Sequence, residues 1–316
     1  MGKKRSAFSG LGRFVQTIQQ APNPSKNDEA SQPQDRPAKK RKISDAEQST
    51  STSSWVKKYE MTGLIPHYTD PDQVPEALKK YFHQRTRYFS LYSTPPGCLL
   101  DEEGWYSVTP ERIADQIAER CRCDTIVDAF CGVGGNAIAF AKTCQRVIAL
   151  DTSPTRLALA RHNAQIYGVS QHIEFILGDY ISFAKSYTPS SGSKRKIDVV
   201  FLSPPWGGPS YISDAVTTTE ETDADTDNHP VYSLASIQPI HGAELFNLTR
   251  RITPNIAYYL PRNTDIGEVG ALVDAGAVEG DVKEYVEVEE EWMGNKLKAL
   301  TCYFGGLVDG QGDLFG

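Results

Sequence analysis

The chain has 316 residues, more than one average domain, which favours a single α/β domain with extensions. Its apolar content of 39% is low for a wholly globular chain, so we expect part of it to be disordered. The net charge of −7 is uneven, because residues 1–54 hold ten Lys or Arg and five Asp or Glu, which leaves −12 for the remainder. That acidic remainder argues against a broad phosphate-binding surface. A nucleic acid partner would have to be bound locally.

Cysteine usage indicates an intracellular protein without a metal centre. No two pairs of the six cysteines show a metal-ligand spacing, because Cys121 and Cys123 are separated by one residue only. No signal peptide is apparent, so we expect reduced thiols. No apolar run approaches the length of a membrane span, so we expect no membrane partner.

Residues 1–54 are rich in Ser, Gln, Pro and Lys and poor in aromatic residues, which predicts a disordered basic tail. Residues 36–42 (RPAKKRK) form a compact basic cluster within it. Such clusters are typical of nuclear import signals and of nucleic-acid tethers, although many are simply solvated. We favour nuclear import.

Residues 55–110 are expected to form a small helical extension. One helix is predicted from Val74 to Tyr92, and a second is predicted to follow Thr109 and end near Arg120. The first helix carries the only dense basic group of the folded part, which leaves phosphate contact open for Lys80, Arg85 and Arg87.

Three short apolar strands, each leading to an aspartate, form the centre of the predicted fold. The aspartates are Asp128, Asp151 and Asp179. After the first strand, Gly132 and Gly134 permit positive φ and allow a ligand to lie against backbone N–H groups at a helix start. Alternating strands and helices predict a parallel, doubly wound sheet with its ligand site at the carboxyl ends of the strands. All three aspartates fall at that edge.

A fourth apolar strand, residues 197–202, leads into the stretch Ser203-Pro-Pro-Trp206. Two prolines prevent both helix and further strand pairing, so the chain leaves the sheet in a rigid, extended conformation. This turn fixes the face of Trp206, and the carbonyl groups of Ser203 and Pro204 can accept from an amine. A polar residue, two prolines and an aromatic residue after a central strand are typical of amine-methylating enzymes that use S-adenosylmethionine (SAM). The alternative is a stiff turn in which Trp206 fills the core.

The remaining segments complete the predicted sheet. Residues 214–230 are an acidic, Thr-rich insertion, for which we predict a flexible loop. Later apolar segments predict a seven-stranded sheet with an antiparallel edge pair, and they lie at 256–260, 282–288 and 297–304. We interpret the glutamates at 289–291 as a solvated turn. The expected core spans residues 111–308, and a tail follows at 309–316.

The glycine pattern at 132–137 also satisfies the dinucleotide-binding fingerprint, with Asp151 about twenty residues further on. However, Asp128 precedes the glycines, where it could bind an α-amino group but would repel a pyrophosphate. Asp179 could accept from an adenine amine. A helix cap or a turn could explain any one of these aspartates. It explains less completely why aspartates follow three successive strands. These features favour SAM over NAD.

Four motifs together resemble the trimethylguanosine synthases, a family of RNA cap hypermethylases. They are residues 128–135 (DAFCGVGG), 203–209 (SPPWGGP) with Tyr211, 104–111 (GWYSVTPE) and 259–263 (YLPRN), within a similarity that runs from about residue 77 to 307. The resemblance implies a Rossmann-like SAM methyltransferase with a helical N-terminal extension. It implies conversion of the 7-methylguanosine cap of small nuclear and nucleolar RNAs to 2,2,7-trimethylguanosine, in the nucleus and its nucleolus. Small ribonucleoprotein core proteins or nuclear import factors would be further partners, bound through the basic tail.

The resemblance also implies roles for individual residues. Trp206 would stack on the 7-methylguanine, with Ser203 and Pro204 beside its exocyclic amine. The residues implied at the cofactor are Phe89, Thr109, Asp128, Gly132, Gly134, Asp151 and Asp179. Those implied at the cap are Lys80, Asn163, Tyr211 and Arg262.

Two other functions stay open from the sequence. A DNA, RNA or protein amide methyltransferase of the Pro-Pro-aromatic type would share the turn that contains Trp206. A nuclear cap-binding or scaffold protein without activity could keep the same fold. The intact set of Asp128, Gly132, Asp151 and the Ser-Pro-Pro-Trp turn argues against that non-enzymatic function.

Overall fold

The computed structural model describes residues 61–187, 196–208, 231–274 and 284–308. The predicted tails at 1–54 and 309–316, the insertion at 214–230 and Tyr211 therefore lie outside the described residues. Within the described ranges, no helix is both long and apolar enough to cross a membrane. The same ranges contain no cluster of three or more His, Cys, Asp or Glu side chains suited to a metal ion.

A seven-stranded sheet organises the described part of the chain, with strand order β3-β2-β1-β4-β5-β7-β6. Strands β1 to β5 are parallel, β7 runs antiparallel to β5, and β6 runs antiparallel to β7. The strands are β1 Thr125–Asp128, β2 Arg146–Asp151, β3 Ile173–Leu177, β4 Val199–Leu202, β5 Ile256–Pro261, β6 Val286–Met293 and β7 Lys296–Phe304. This topology confirms the predicted doubly wound sheet and its antiparallel edge pair.

Helices cover both faces of the sheet. They are α1 Glu76–Phe82, α2 Arg85–Tyr88, α3 Glu102–Ser107, α4 Glu111–Arg120, α5 Gly135–Thr143, α6 Pro154–Ile166, α7 Tyr180–Ser186, α8 Gly242–Arg250 and α9 Ile266–Asp274. Strand β4 shows how the two cores arise: Val199 and Phe201 join one apolar cluster, whereas Val200 and Leu202 join the other. Successive strand residues point to opposite faces, so a strand that is apolar throughout is buried on both sides.

The N-terminal extension is helical, but its first helix is shorter than predicted. Instead of one helix from Val74 to Tyr92, the structure has α1 and α2, separated at residues 83–84. At the junction, the Gln84 side chain donates to the Lys80 carbonyl at 3.0 Å, and the Arg85 guanidinium donates to the Phe82 carbonyl at 3.1 Å. These side-chain donors occupy carbonyl groups near the end of α1, as helix-end carbonyls without an intrahelical partner require. The extension packs on the same apolar cluster as α4 and α5.

The expectation of a solvated turn at residues 289–291 is wrong, because these glutamates lie inside β6. Glu291 is only 1% exposed, and the Thr301 hydroxyl donates to its carboxylate at 2.5 Å. Arg120 on α4 pairs with Glu287 at 2.6 Å and with Glu289 at 3.6 Å. Ion pairs with Arg120 on α4 and the hydrogen bond from Thr301 on β7 therefore satisfy the polar groups of β6 and allow this face to pack. Burial raises the pKa of Glu291 to about 8, Thr301 opposes the rise, and the neighbouring charge of Glu289 adds to it.

We predict that Glu291→Gln flattens the pH dependence of stability. The pKa of Glu291 in the folded chain lies above the ordinary value of 4.5, so its contribution to the free energy of unfolding falls as the pH rises between 4.5 and about 8. The amide cannot ionise and can still accept from Thr301. Denaturant unfolding across this pH range should show the variant gaining stability relative to the wild type toward pH 8. Glu290→Gln, at an exposed neighbour, is the control and should follow the wild-type profile; a Glu291→Gln profile parallel to the wild type would contradict the prediction.

Candidate functional site

A cavity of about 880 Å³ opens at the carboxyl edge of the parallel strands, between the sheet and the N-terminal extension. The loops after β1, β2, β3 and β4 all contribute to its lining, as do residues of α1, α3 and the start of β7. Ligands of open parallel sheets bind at this edge. A ligand of this chain is therefore expected to bind in this cavity.

The two predicted glycines of the loop after β1 have different neighbours. Gly132 lines it and has φ of 52°, a conformation that favours glycine. Gly134, with φ of 92°, instead lies against α6: a Cβ atom there would sit 3.0 Å from the Cβ of Ala160 and 3.1 Å from its Cα. Gly134 therefore brings α5 close to α6, and only Gly132 of the two lines the cavity.

Two of the three predicted aspartates line the cavity. Asp151 accepts from the Gly132 N–H at 3.0 Å and from the Ser153 N–H at 2.7 Å, so it joins the end of β2 to the glycine loop. Asp179 caps α7 by accepting from the N–H and the hydroxyl of Ser182, each at 2.9 Å. Partial burial raises the pKa of Asp179, but the hydrogen bonds from Ser182 outweigh this and hold the pKa below its ordinary value. Both residues carry a carboxylate to the cavity wall.

Asp128, the third aspartate, is fully buried at the end of β1 and does not itself line the cavity. Among the described residues, neither of its carboxylate oxygens makes a hydrogen bond of standard geometry. Burial raises the pKa of Asp128 to about 7, the backbone N–H groups of Phe130 and Ala137 oppose the rise, and the charge of Asp151 adds to it. A buried carboxylate without a close partner is costly and favours a cation or a proton beside it.

The extension contributes Thr109 to the cavity, but it does not contribute Phe89. Thr109 is buried, and its hydroxyl accepts from the Asn136 side chain at 3.0 Å. Phe89 is 2% exposed and packs its ring 6.0 Å from that of Tyr167, inside the core. The preceding residue, Tyr88, lines the cavity instead. Phe89 thus supports this wall from behind.

The Ser-Pro-Pro-Trp turn after β4 lines the cavity with Ser203, Pro204 and Trp206. The Trp206 indole is partly exposed and lies 5.3 Å from the Tyr259 ring, with an interplanar angle of 32°. The backbone carbonyl of Trp206 accepts from the Tyr232 hydroxyl at 3.3 Å. No turn or loop hydrogen bond within the described ranges reaches the carbonyl of Ser203 or Pro204. The turn holds an aromatic face and two carbonyl groups at one wall.

A basic group lies at the same cavity and is larger than the sequence indicated. Lys80 and Arg262, both expected at the cap, line it, and Lys296 and Lys298 join them. Burial lowers the pKa of Lys298, and the charges of Lys296, Arg87 and Arg262 lower it further, so these cations lie within electrostatic reach of one another. None of the five forms a salt bridge within the part of the chain that the structure describes.

A β-bulge brings Lys298 to the cavity. Glu291 pairs with Ala299 and Trp292 pairs with Leu297, so Lys298 is the extra residue of β7. Bulges re-aim side chains and are frequent beside active sites. Consecutive residues of a regular strand alternate between faces, whereas residues 296–298 all line the cavity.

The prediction that Asn163 lies at the substrate is wrong, because the residue is fully buried and does not line the cavity. Its side-chain amide donates to the carbonyls of Leu99 and Val133, at 2.9 and 3.0 Å, and accepts from the Leu99 N–H at 2.8 Å. Asn163 therefore fastens the N-terminal extension to the glycine loop. Its position on the inner face of α6 explains why it cannot reach a ligand.

Comparison with known proteins places this chain beside cap-modifying enzymes. A family model described as RNA cap guanine-N2 methyltransferase matches residues 123–307. Trimethylguanosine synthase of Schizosaccharomyces pombe is 38% identical over 236 residues, covering 73% of this chain and 87% of that protein. Trimethylguanosine synthase of Saccharomyces cerevisiae is 34% identical over 197 residues, covering 61% of this chain and 57% of that protein. Among solved structures, a protein assigned as a methyltransferase from Porphyromonas gingivalis W83 superposes with a TM-score of 0.49 at 14% identity, over 79% of this chain and 56% of that one.

Proposed function

This chain belongs to the family of RNA cap guanine-N2 methyltransferases, and from that premise we propose that it adds two methyl groups to N2 of the 7-methylguanosine cap of small nuclear and nucleolar RNAs. The product is the 2,2,7-trimethylguanosine cap. The observation that carries the proposal is the Ser-Pro-Pro-Trp turn, whose aromatic face and carbonyl groups share one cavity with the glycine loop and a basic group.

We propose SAM as the methyl donor, which supplies an electrophilic methyl group on a sulfonium. The residues at the glycine loop fit its polar groups. Asp151 can accept from ribose hydroxyls, and Asp179 can accept from the adenine amine. Asp128 is a buried carboxylate without a close hydrogen-bonding partner among the described residues, which suits the cationic α-amino group of an amino acid. Gly132 leaves room for a ligand against the backbone, because no atom within 4 Å occupies the position of its missing side chain.

Trp206 is proposed to recognise the methylated base. A 7-methylguanine carries a delocalised positive charge, and a cation over a Trp face gains up to about 2 kcal/mol when it is desolvated. An unmethylated guanine lacks that charge and keeps only ordinary stacking. Methylation at N7 should therefore precede methylation at N2.

In the transfer step, the protein aligns the acceptor nitrogen with the methyl group of the donor. Methyl transfer is an in-line displacement, so its rate depends on holding the acceptor nitrogen opposite the bond that breaks. The carbonyl groups of Ser203 and Pro204 can accept hydrogen bonds from the exocyclic amine and so orient its lone pair. The attacking nitrogen loses its extra proton after the new bond has formed, and no side chain need act as a general base. Each of the two methylations consumes one donor molecule.

The basic group is proposed to hold the phosphates of the cap. Lys80, Arg262 and Lys298 approach the cavity from the extension, from the residue that follows β5 and from β7. Charge-assisted hydrogen bonds to phosphate are stronger than neutral ones. This local group would bind the cap phosphates, although the chain outside residues 1–54 is acidic overall.

The basic tail remains a proposal of its own, because residues 1–54 lie outside the described residues. We propose that it directs the chain to the nucleus and its nucleolus, through import factors or through core proteins of small ribonucleoproteins. The cluster at residues 36–42 supports this assignment.

The proposed activity predicts a specific product. With labelled SAM and 7-methyl-GTP, mass analysis should show two added methyl groups, whereas GTP should be a poor acceptor because it lacks the cationic base. Equal transfer to both nucleotides would contradict recognition by Trp206. Transfer to adenine or glutamine acceptors but not to 7-methyl-GTP would instead support an amide methyltransferase.

We predict that Trp206→Ala abolishes methyl transfer and leaves SAM affinity near the wild-type value. The substitution removes the stacking face, whereas the residues proposed at the donor stay in place. The loss of cap affinity should be on the order of 30-fold, the equivalent of about 2 kcal/mol, and a base that is still bound is no longer held in line for transfer. Trp292→Ala is the matched control, because Trp292 lies on the edge strand and is 43% exposed. Titration calorimetry with 7-methyl-GTP and with SAM measures both affinities, and an active Trp206→Ala enzyme would remove Trp206 from the mechanism.

We predict that Lys298→Ala raises KM for 7-methyl-GTP on the order of tenfold, with kcat little changed. The lost contact involves the phosphates, so the effect should vanish with 7-methylguanosine as the acceptor. The salt dependence of nucleotide binding should also become shallower. Lys196→Ala is the control, because Lys196 is exposed and precedes the amino end of β4, at the edge opposite the cavity. An equal rise in KM for the nucleoside would show that Lys298 does not act through phosphate.

A further inference from the structure

Two cysteines face each other at the amino edge of the sheet, opposite the cavity. Cys123 lies just before β1, and Cys144 lies between α5 and β2. Their sulfur atoms are 3.9 Å apart. Cys123 is partly exposed, whereas Cys144 is buried. No step of the proposed methyl transfer uses either thiol.

The sheet itself sets the distance between them. Thr125 of β1 pairs with Arg146 of β2 in parallel register, so Cys123 and Cys144 each lie two residues before that pair. The backbone contact continues beyond the strands, because the Gln145 N–H donates to the Cys123 carbonyl at 3.4 Å. Neighbouring strands lie about 4.8 Å apart, and disulfides join Cα atoms about 4.4–6.8 Å apart. A bond between the two sulfurs requires rotation of side chains and no separation of the strands.

The contact between the two sulfurs can stabilise a thiolate at Cys144, because the Cys123 thiol can donate a hydrogen bond to it. A hydrogen bond from the Cys123 thiol lowers the pKa of Cys144 most, and the Thr143 hydroxyl, 3.6 Å from the sulfur, lowers it further. Burial opposes this shift but does not cancel it. The thiolate is the form of cysteine that reacts with peroxides and disulfides. Cys121 is fully buried, and its backbone carbonyl oxygen lies 3.6 Å from the Cys144 sulfur, so its backbone contacts the pair.

We propose that Cys123 and Cys144 form an oxidisable dithiol that hydrogen peroxide converts to a disulfide. The Cys144 thiolate attacks one peroxide oxygen, which gives a sulfenic acid and releases the other oxygen as water once protonated. The Cys123 sulfur then attacks the sulfenic sulfur, its proton and the departing hydroxyl leave as a second water, and the S–S bond forms. Two thiols are thereby oxidised by two electrons and one peroxide is reduced. A dithiol reductant reverses the change.

The bond would close the segment from residue 123 to residue 144 into a loop. That segment contains β1, the glycine loop and α5, the unit that carries Asp128 and Gly132. Cross-linking its two ends restricts the unfolded chain more than the folded one. The oxidised chain should unfold at a temperature several degrees higher than the reduced chain. Because the bond lies at the edge remote from the cavity, SAM affinity should change by less than about twofold, the scale of a surface effect.

Peptide mapping of the full-length chain tests the proposal. The reduced protein is titrated with hydrogen peroxide under native conditions, remaining thiols are alkylated, and the digest is analysed by mass spectrometry with and without reductant. The expected product is a cross-linked peptide pair that joins residues 123 and 144, with the loss of two hydrogen atoms. It should be absent from Cys123→Ser and Cys144→Ser and retained in Cys302→Ser, which removes a buried thiol elsewhere in the sheet. The rise in the unfolding temperature should follow the same pattern among the variants.

The peptide map of the wild-type protein tests the proposed disulfide even if a serine variant folds poorly. A disulfide between Cys121 and Cys144, or stable sulfinic acid at either thiol, would overturn the assignment of the pair. So would full alkylation of both thiols after native peroxide treatment. Failure of this chemistry would leave the proposed methyltransferase function untouched, because the two concern opposite edges of the sheet.

Discussion

The hydrogen bond from the Gly132 N–H to the Asp151 carboxylate, 3.0 Å long, joins the ends of two neighbouring strands at the cavity. It depends on the parallel register of β1 and β2, which places the glycine loop beside the end of β2. Strand β4 pairs with the other side of β1 in a second parallel ladder, so the turn that carries Trp206 reaches the cavity beside the glycine loop. The pairing of β1 with β2 and with β4 thus positions both the glycine loop and the Trp206 turn at the cavity.

The features of the site that could be predicted from the sequence are those set by local chemistry. Asp151 and Gly132 could be placed because carboxyl ends of parallel strands share an edge, and Trp206 because two prolines end a strand. The same reasoning misplaced Gly134, which instead contacts Ala160 on α6. A local pattern indicates that a glycine is required, but the tertiary neighbour decides whether a ligand or a helix fills the space.

The features that escaped prediction depend on partners distant in sequence. Lys298 reaches the cavity through a bulge, and the register of β6 against β7 is not visible in the order of residues. Asn163 accepts a hydrogen bond from Leu99, 64 residues away. The sequence pattern does not show where the loop that contains Leu99 lies, so the role of Asn163 could not be predicted from it. Glutamate is usually a surface residue, whereas Glu291 is buried because Thr301 and α4 lie against it.

The glutamates of β6 also affect how readily the protein associates with other chains. β6 is the outermost strand at its side of the described sheet, and such a strand offers unpaired backbone groups to any neighbouring chain. Glu290 carries an exposed carboxylate on this edge strand, and charged side chains on edge strands oppose edge-to-edge association. The acidic sequence of β6 therefore protects the open edge of the sheet against aggregation, while its buried member, Glu291, lowers stability at higher pH.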